Sequence, residues 1–282
     1  MTVDPSSFAD WIGRRTVRTD RITDRTVAEF RATFDPLIAP VEATGDVPAG
    51  IFWCLSPDIA PAADLGRDGH PRVGIFMPNV GLPRRMWAGG EIAFHGAFAV
   101  GDQVERTSTV EDIKVKSGRT GTLVIVAVRH HYAVDGRLLV DERQDIVYRE
   151  DPDPDAPAPT PPPAEPLTGA EGWSLTPDTT LLFRYSAMTF NGHRIHYDLP
   201  YARDVEGYPG LVVHGPIQAT LMLNLAVQRL GALPSRFAYR GLSPLSAGTP
   251  ITVEAALGAD GTVTARVVSA AGIATAAATA SR

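Results

Sequence analysis

Apolar positions along this chain alternate between helix-like and strand-like spacing, and the two patterns recur in the same order twice. Between Ile22 and Phe34, the residues Val27, Phe30 and Phe34 fall on one helical face, with Thr23 or Asp24 placed to cap it, which predicts a short helix. Val104–Val115, Leu123–Val134 and Leu138–Tyr148 are rich in β-branched residues. Gly118-Arg119-Thr120-Gly121 and Asp135-Gly136 separate them as turns, so an antiparallel meander is expected. The second pass begins with Leu181–Ser186, which reads as a strand. Pro216–Leu230 follows, with apolar residues almost encircling it, from Ile217 and Leu221 to Leu225 and Leu230. A helix with so little polar face needs a sheet wrapped around it. Strands return at Arg236–Arg240, Ile251–Leu257, Thr262–Val268 and Ile273–Thr279, with turns at Asp260-Gly261 and Ala271-Gly272.

The two passes are divided by Asp151–Pro166, where eight of sixteen residues are proline. Such a segment lacks half its amide donors and acts as a semi-rigid spacer. It marks three parts: residues 1–150, a Pro-rich linker over 151–168, and residues 169–282. A faint internal echo relates the outer two. Glu91-Ile-Ala-Phe-His-Gly96 and the strand after it resemble Arg236-Phe-Ala-Tyr-Arg-Gly241 and its own following strand. The echo implies duplication, with both halves built as a curved sheet gripping a central helix and packed side by side.

Composition narrows the classes of function. With 282 residues, 44% of them hydrophobic, each half has enough material to bury a core, and disorder is excluded. A net charge of −6 with no basic stripe argues against nucleic-acid binding, so an anionic ligand must meet local arginines. The single cysteine, Cys54, has no partner within the chain, which fits a reducing compartment. The N-terminal stretch lacks the apolar core of a secretory signal, and nothing reaches the length of a membrane span. A cytoplasmic protein without a membrane partner is expected.

Candidate chemistry concentrates between Tyr185 and Gly215. This run holds three of the seven histidines, His193, His196 and His214, and places Asn191 five residues before His196. Zinc is a weak reading of the histidines, because no carboxylate or thiol stands in helical register with them. No phosphate-binding glycine loop, dinucleotide fingerprint or Gly-x-Ser-x-Gly elbow occurs.

The run Thr189-Phe-Asn-Gly-His-Arg-Ile-His-Tyr-Asp198, followed by Val213-His214-Gly215, resembles the MaoC-like hot-dog hydratases and dehydratases. The likeness is strongest to their type 2 hydroxyacyl-thioester dehydratase branch, which includes mesaconyl-CoA and itaconyl-CoA hydratases. The motif's histidine falls on His196. Its catalytic aspartate falls on Asn191, its asparagine on His193 and its proline on Arg194. Leu82–Asp102 and Asp141–Glu150 resemble the degenerate first half of the same proteins. The resemblance implies an α+β double hot-dog fold, with a degenerate N-terminal unit and a catalytic C-terminal one. It also implies reversible hydration of a 2-enoyl thioester carried on coenzyme A or an acyl-carrier protein. No cofactor or metal is implied, and further association into a homo-oligomer is compatible with it.

Under that implication His196 is the general base, since imidazole titrates near neutrality, whereas Asn191 does not titrate and would hold water and substrate in line. His193 would orient the water, set the tautomer of His196 or carry a second proton; capping a backbone carbonyl is its other reading. Gly215, at the helix start beside Pro216, would present its N–H to the thioester oxygen. His214 flanks it, either facing substrate or packing. Arg84, Arg85, Arg194 and Arg240 are the candidates for carrier phosphates, and Arg194 also for a free carboxylate on the acyl chain. Two alternatives stay open: a hot-dog thioesterase, and a non-catalytic subunit that binds acyl thioesters.

Overall fold

The computed structural model describes residues 5–118, 121–151, 161 and 163–282. Ten antiparallel strands join edge to edge in one sheet. The first half supplies β1 (Arg15–Arg21), β2 (Arg84–Phe94), β3 (Gln103–Gly118), β4 (Gly121–Val134) and β5 (Arg137–Arg149). The second supplies β6 (Glu171–Leu175), β7 (Arg236–Gly241), β8 (Ile251–Leu257), β9 (Val263–Ser269) and β10 (Ala274–Ser281). The order across the sheet is β1-β3-β4-β5-β2-β7-β10-β9-β8-β6. Each half therefore repeats one topology, 1-3-4-5-2 and 6-8-9-10-7, and the two copies meet through β2 and β7.

The internal echo lies at this seam. It equates Ile92 with Phe237, and these two residues are paired across β2 and β7, both fully buried. Equivalent residues that face each other mark the position of a pseudo-two-fold axis.

The meander β3-β4-β5 forms where its β-branched residues predict it. Its Asp135-Gly136 turn has both residues at positive φ, 49° and 76°, as a two-residue hairpin turn requires. Arg119 and Thr120 of the preceding turn, and residues 152–160 and 162 of the Pro-rich segment, lie outside the described residues. At the end of that segment, Ala164 donates to the Gly272 carbonyl at 2.8 Å, which ties it to the second half. Helix α1 (Asp24–Phe34) is capped by Thr23 and buries Val27, Phe30 and Phe34. A four-residue helix, α2 (Val41–Thr44), follows it.

Leu181–Ser186 is not a strand. It lies inside helix α3 (Thr179–Thr189), where Asp178 caps the N–H of Leu181 and Leu182 and Tyr185 turn to the core. A short apolar run has no resolvable period, and the capping aspartate decides the outcome. Helices α1 and α3 pack together, with the Phe34 and Tyr185 rings edge to face at 5.9 Å.

The central helix is α4 (Gly215–Leu230), in which every residue from Ile217 to Val227 is buried. Gly231 ends it in the left-handed region, at φ 71°. The halves differ at this position. Among the described residues of the first half no helix matches α4 in length, and the buried 3-10 turn Ile51–Cys54 packs against its strands. Phe52 packs against Phe94 and Tyr132, and Trp53 donates to Glu142 at 2.7 Å. Burial pushes the Glu142 carboxyl above its usual range, partly offset by its donors Trp53, Gln144 and Tyr239.

One buried amide links α4 to the first half. Asn224 accepts from the Ala39 N–H at 3.1 Å and donates to the Ala49 and Thr220 carbonyls, both at 2.9 Å. Asn224→Leu strands the Ala39 donor and the Ala49 acceptor in the core. A loss of about 2 kcal/mol in denaturant unfolding is expected; an unchanged midpoint would show that this link carries no stability. Among the described residues no helix is long and apolar enough to cross a membrane.

Candidate active site

The loop after α3 is shaped by its own side chains. Phe190 leaves the helix in the left-handed region at φ 50°, and the Asn191 side-chain oxygen then accepts the N–H of His193 at 2.9 Å. Such an Asx turn starts the 3-10 turn Arg194–His196. A first-half loop clamps it from outside: the Arg194 N–H donates to the Asp68 carbonyl at 2.8 Å. Gly69, at φ 87°, sits so close that a Cβ there would lie 2.0 Å from the Gly192 oxygen.

His196 is buried, and its Nδ1 lies 2.7 Å from the Val212 carbonyl. A carbonyl only accepts, so Nδ1 carries the proton and the neutral ring keeps Nε2 as an acceptor. The His214 ring stacks on it, with centroids 3.5 Å apart and planes 17° apart. The Nε2 of His214 is 2.9 Å from the Ser186 hydroxyl. Burial first, then His214 and His193, hold His196 well below the ordinary histidine range. Burial and His193 push His214 down to about 3. Both rings are therefore neutral near pH 7. Each of the two stacked rings thus spends one nitrogen on a protein partner, His196 Nδ1 on Val212 and His214 Nε2 on Ser186, and keeps the other open.

Both rings line a cavity of about 2430 Å³ that runs along the seam between the halves. Asn191, His193, Gly215, Arg84 and Arg85 line it too. Gly215 opens α4, where the first N–H groups have no intrahelical partner and the helix dipole is positive. A Cβ at 215 would meet Trp87 at 2.7 Å, so glycine is what admits that ring to the cavity wall. Trp87 in turn stacks on Tyr239 at 4.5 Å and meets Trp53 edge to face.

The arginines divide differently from the expectation. Arg84 is 4% exposed and its Nε donates to Glu206 at 3.2 Å, so it balances a buried carboxylate. Burial opposes the charge on Glu206, but the neighbours His193 and Arg84 hold its pKa below the usual range. Arg85 Nε donates to Asp68 at 3.1 Å, while its Nη2 is buried with no hydrogen-bond partner among the described residues. Arg194 and Arg240 stand outside the cavity lining. Arg194 is tied to Asp198 at 2.7 Å and lies over the Tyr201 ring, and Arg240 is exposed on β7.

Sequence reasoning passed over Asp68, His70, Trp53 and His130, all in the first half. Asp68 and His70 sit against the motif loop, and their only local signal is an Asp-Gly-His-Pro turn without distinctive spacing. His130 is buried at the cavity wall, with Nδ1 2.8 Å from the Ser108 hydroxyl, and burial followed by Arg106 pushes it down to about 3.

His130 and His214 give the protein an acid limit. Their folded values lie below the ordinary value near 6.5, so the unfolded chain binds more protons between about pH 3 and 6.5. Stability is full above that window and falls as pH drops through it, by about 2 kcal/mol per ring at pH 5. Urea midpoints at pH 5 and pH 7.5 check this; equal midpoints would mean that the rings are charged when folded.

Comparisons with known proteins agree with this geometry. Residues 51–247 match the family described as hydroxyacyl-thioester dehydratase type 2. The mesaconyl-C(4)-CoA hydratase of Chloroflexus aurantiacus is 40% identical over 235 residues, covering 83% of this chain and 84% of that protein. The mitochondrial hydroxyacyl-thioester dehydratase type 2 of Schizosaccharomyces pombe is 26% identical, covering 72% and 74%. Among solved structures, HtdX of Mycobacterium tuberculosis superposes with a TM-score of 0.65 at 17% identity, covering 95% of this chain and 99% of that one. A second M. tuberculosis protein, described as a double hot-dog fold, gives 0.55 at 16% identity, covering 95% of each chain. The fold is thus a double hot-dog, and the chain belongs to the type 2 hydroxyacyl-thioester dehydratase family.

Proposed function

We propose that this protein reversibly adds water to the double bond of a 2-enoyl-CoA, giving a 3-hydroxyacyl-CoA. The observation that carries the reading is His196, held by Val212 so that its free Nε2 is the acceptor, beside the amino end of α4. As water oxygen bonds to the β-carbon, Nε2 takes the water proton. The π electrons move toward the thioester oxygen, where the Gly215 N–H and the helix dipole stabilise the developing enolate. Protonation at the α-carbon completes the addition. Asn191 orients the loop through its bond to the His193 N–H, a positioning role in place of proton transfer.

The substrate class is a short branched dicarboxylic acyl thioester such as mesaconyl-CoA, supported by the 40% relationship to a hydratase named for it. Arg85, which lines the cavity, is the cation this reading assigns to the free carboxylate. Loss of enoyl-thioester absorbance is the assay, with mesaconyl-, itaconyl- and crotonyl-CoA as the panel. Mesaconyl-CoA is expected to be hydrated at least about tenfold faster than crotonyl-CoA, and Arg85→Met to narrow that ratio. Release of free thiol in step with the absorbance loss would make the protein a thioesterase, and no change at all would make it a binding subunit.

A further inference from the structure

Adding water across a conjugated bond moves two protons, one off the water and one onto the α-carbon. The motif loop from Asn191 to His196 contains no acid. The first half brings one to it. Asp68, 9% exposed, accepts the N–H of His70 at 3.1 Å through Oδ1; its Oδ2 lies 3.0 Å from His70 Nδ1 and 3.1 Å from Arg85 Nε. A carboxylate accepts only, so His70 Nδ1 carries hydrogen and Nε2 is the nitrogen that gains or loses a proton. The His70 ring lies 4.4 Å from that of His193, which is 5.3 Å from that of His196, and His70 lines the same cavity. The approach of Gly69 to Gly192 and the bond from Arg194 N–H to the Asp68 carbonyl fix the pair against the loop.

We propose that His70, oriented by Asp68, is a second catalytic residue, giving the α-carbon its proton in hydration and removing it in dehydration. This rests on the hydratase reading above. The water proton passes to His196 Nε2 as the C–O bond forms. The enolate electrons then form the α-C–H bond with the proton of protonated His70 Nε2, leaving His70 neutral and His196 protonated. Exchange with water in the cavity restores both rings. The charged and titratable groups around His70 are Asp68, Arg85 and His193, with Glu206 and Arg84 behind His193. Ligand atoms of Asp68, His70 and His193 also lie within 4.8 Å of one another, a spacing open to a metal ion. Arg85 on the same carboxylate oxygen already supplies the positive charge a cation would bring, which favours proton transfer.

The test uses the full chain with His70→Gln, Asp68→Asn and Asp68→Glu. His70→Gln is expected to lower kcat about 100-fold with KM within about threefold, and to abolish one limb of the pH profile of kcat/KM. It should also slow incorporation of solvent deuterium at the α-carbon. Asp68→Asn should follow it in part, and Asp68→Glu should restore activity to within about tenfold of wild type. A merely structural His70 would lower the folded fraction and leave the pH profile unmoved. The proposal is overturned if folded His70→Gln keeps kcat within about threefold, or if chelation removes wild-type activity and zinc restores it. Inactivity of the wild type on every enoyl thioester would instead sink the hydratase reading itself.

Discussion

Replacing His196 with alanine is expected to lower kcat/KM for hydration about 10³-fold, because the ring is the proposed acceptor for the water proton and general-base catalysis is worth about 10² to 10⁴. The effect falls on kcat more than on KM, since the interaction is made chiefly in the transition state. Stability moves less clearly. The stacked partner His214 loses one face of its packing at 3.5 Å, yet the variant removes a buried ring that resists protonation. The base stays neutral through physiological pH, so protonation of His196 is expected to set no limb of the wild-type profile between pH 7 and 8. Folded His196→Ala with wild-type turnover would remove the general base from the mechanism.

The second large effect is structural. Arg84→Ala leaves the Glu206 carboxylate 1% exposed, with Tyr201 at 3.2 Å and His193 at 3.6 Å as its remaining partners. Breaking a buried ion pair from one side costs about 3–5 kcal/mol. Activity declines along with stability, because Glu206 faces His193 in the motif loop. The double variant Arg84→Met with Glu206→Leu removes both charges and should regain much of the loss, as the two residues act as a unit. Urea denaturation of the three proteins decides the point. A double variant no more stable than Arg84→Ala would show that the pair is not what holds this corner together.

What was legible in the sequence follows physical lines. The strands β3 to β5, β8 and β9 are rich in β-branched residues and bounded by glycine turns, and α4 is apolar all round, so each announces itself locally. Edge strands are quieter. β1, Arg-Thr-Val-Arg-Thr-Asp-Arg, has a single apolar residue, and Val17 is 44% exposed. The motif histidines were readable because one loop carries them. Asp68 and His70 were not, because they meet His193 only through tertiary folding. The arginines are ambiguous in the sequence for a related reason: charge type is visible there, but its commitment is not. Arg84 is spent on Glu206 and Arg194 on Asp198, while Arg85, which lines the cavity, looks the same in the chain.

The difference between the halves, α4 in one and the 3-10 turn Ile51–Cys54 in the other, has a consequence for stoichiometry. A symmetric pair of identical units would carry two equivalent chambers and would suffer every substitution twice. Fusion in one polypeptide lifts that constraint, and among the described residues only the second half carries the long central helix. The proposed site then occurs once per chain, and a tight-binding substrate analogue is expected to titrate at one equivalent per chain.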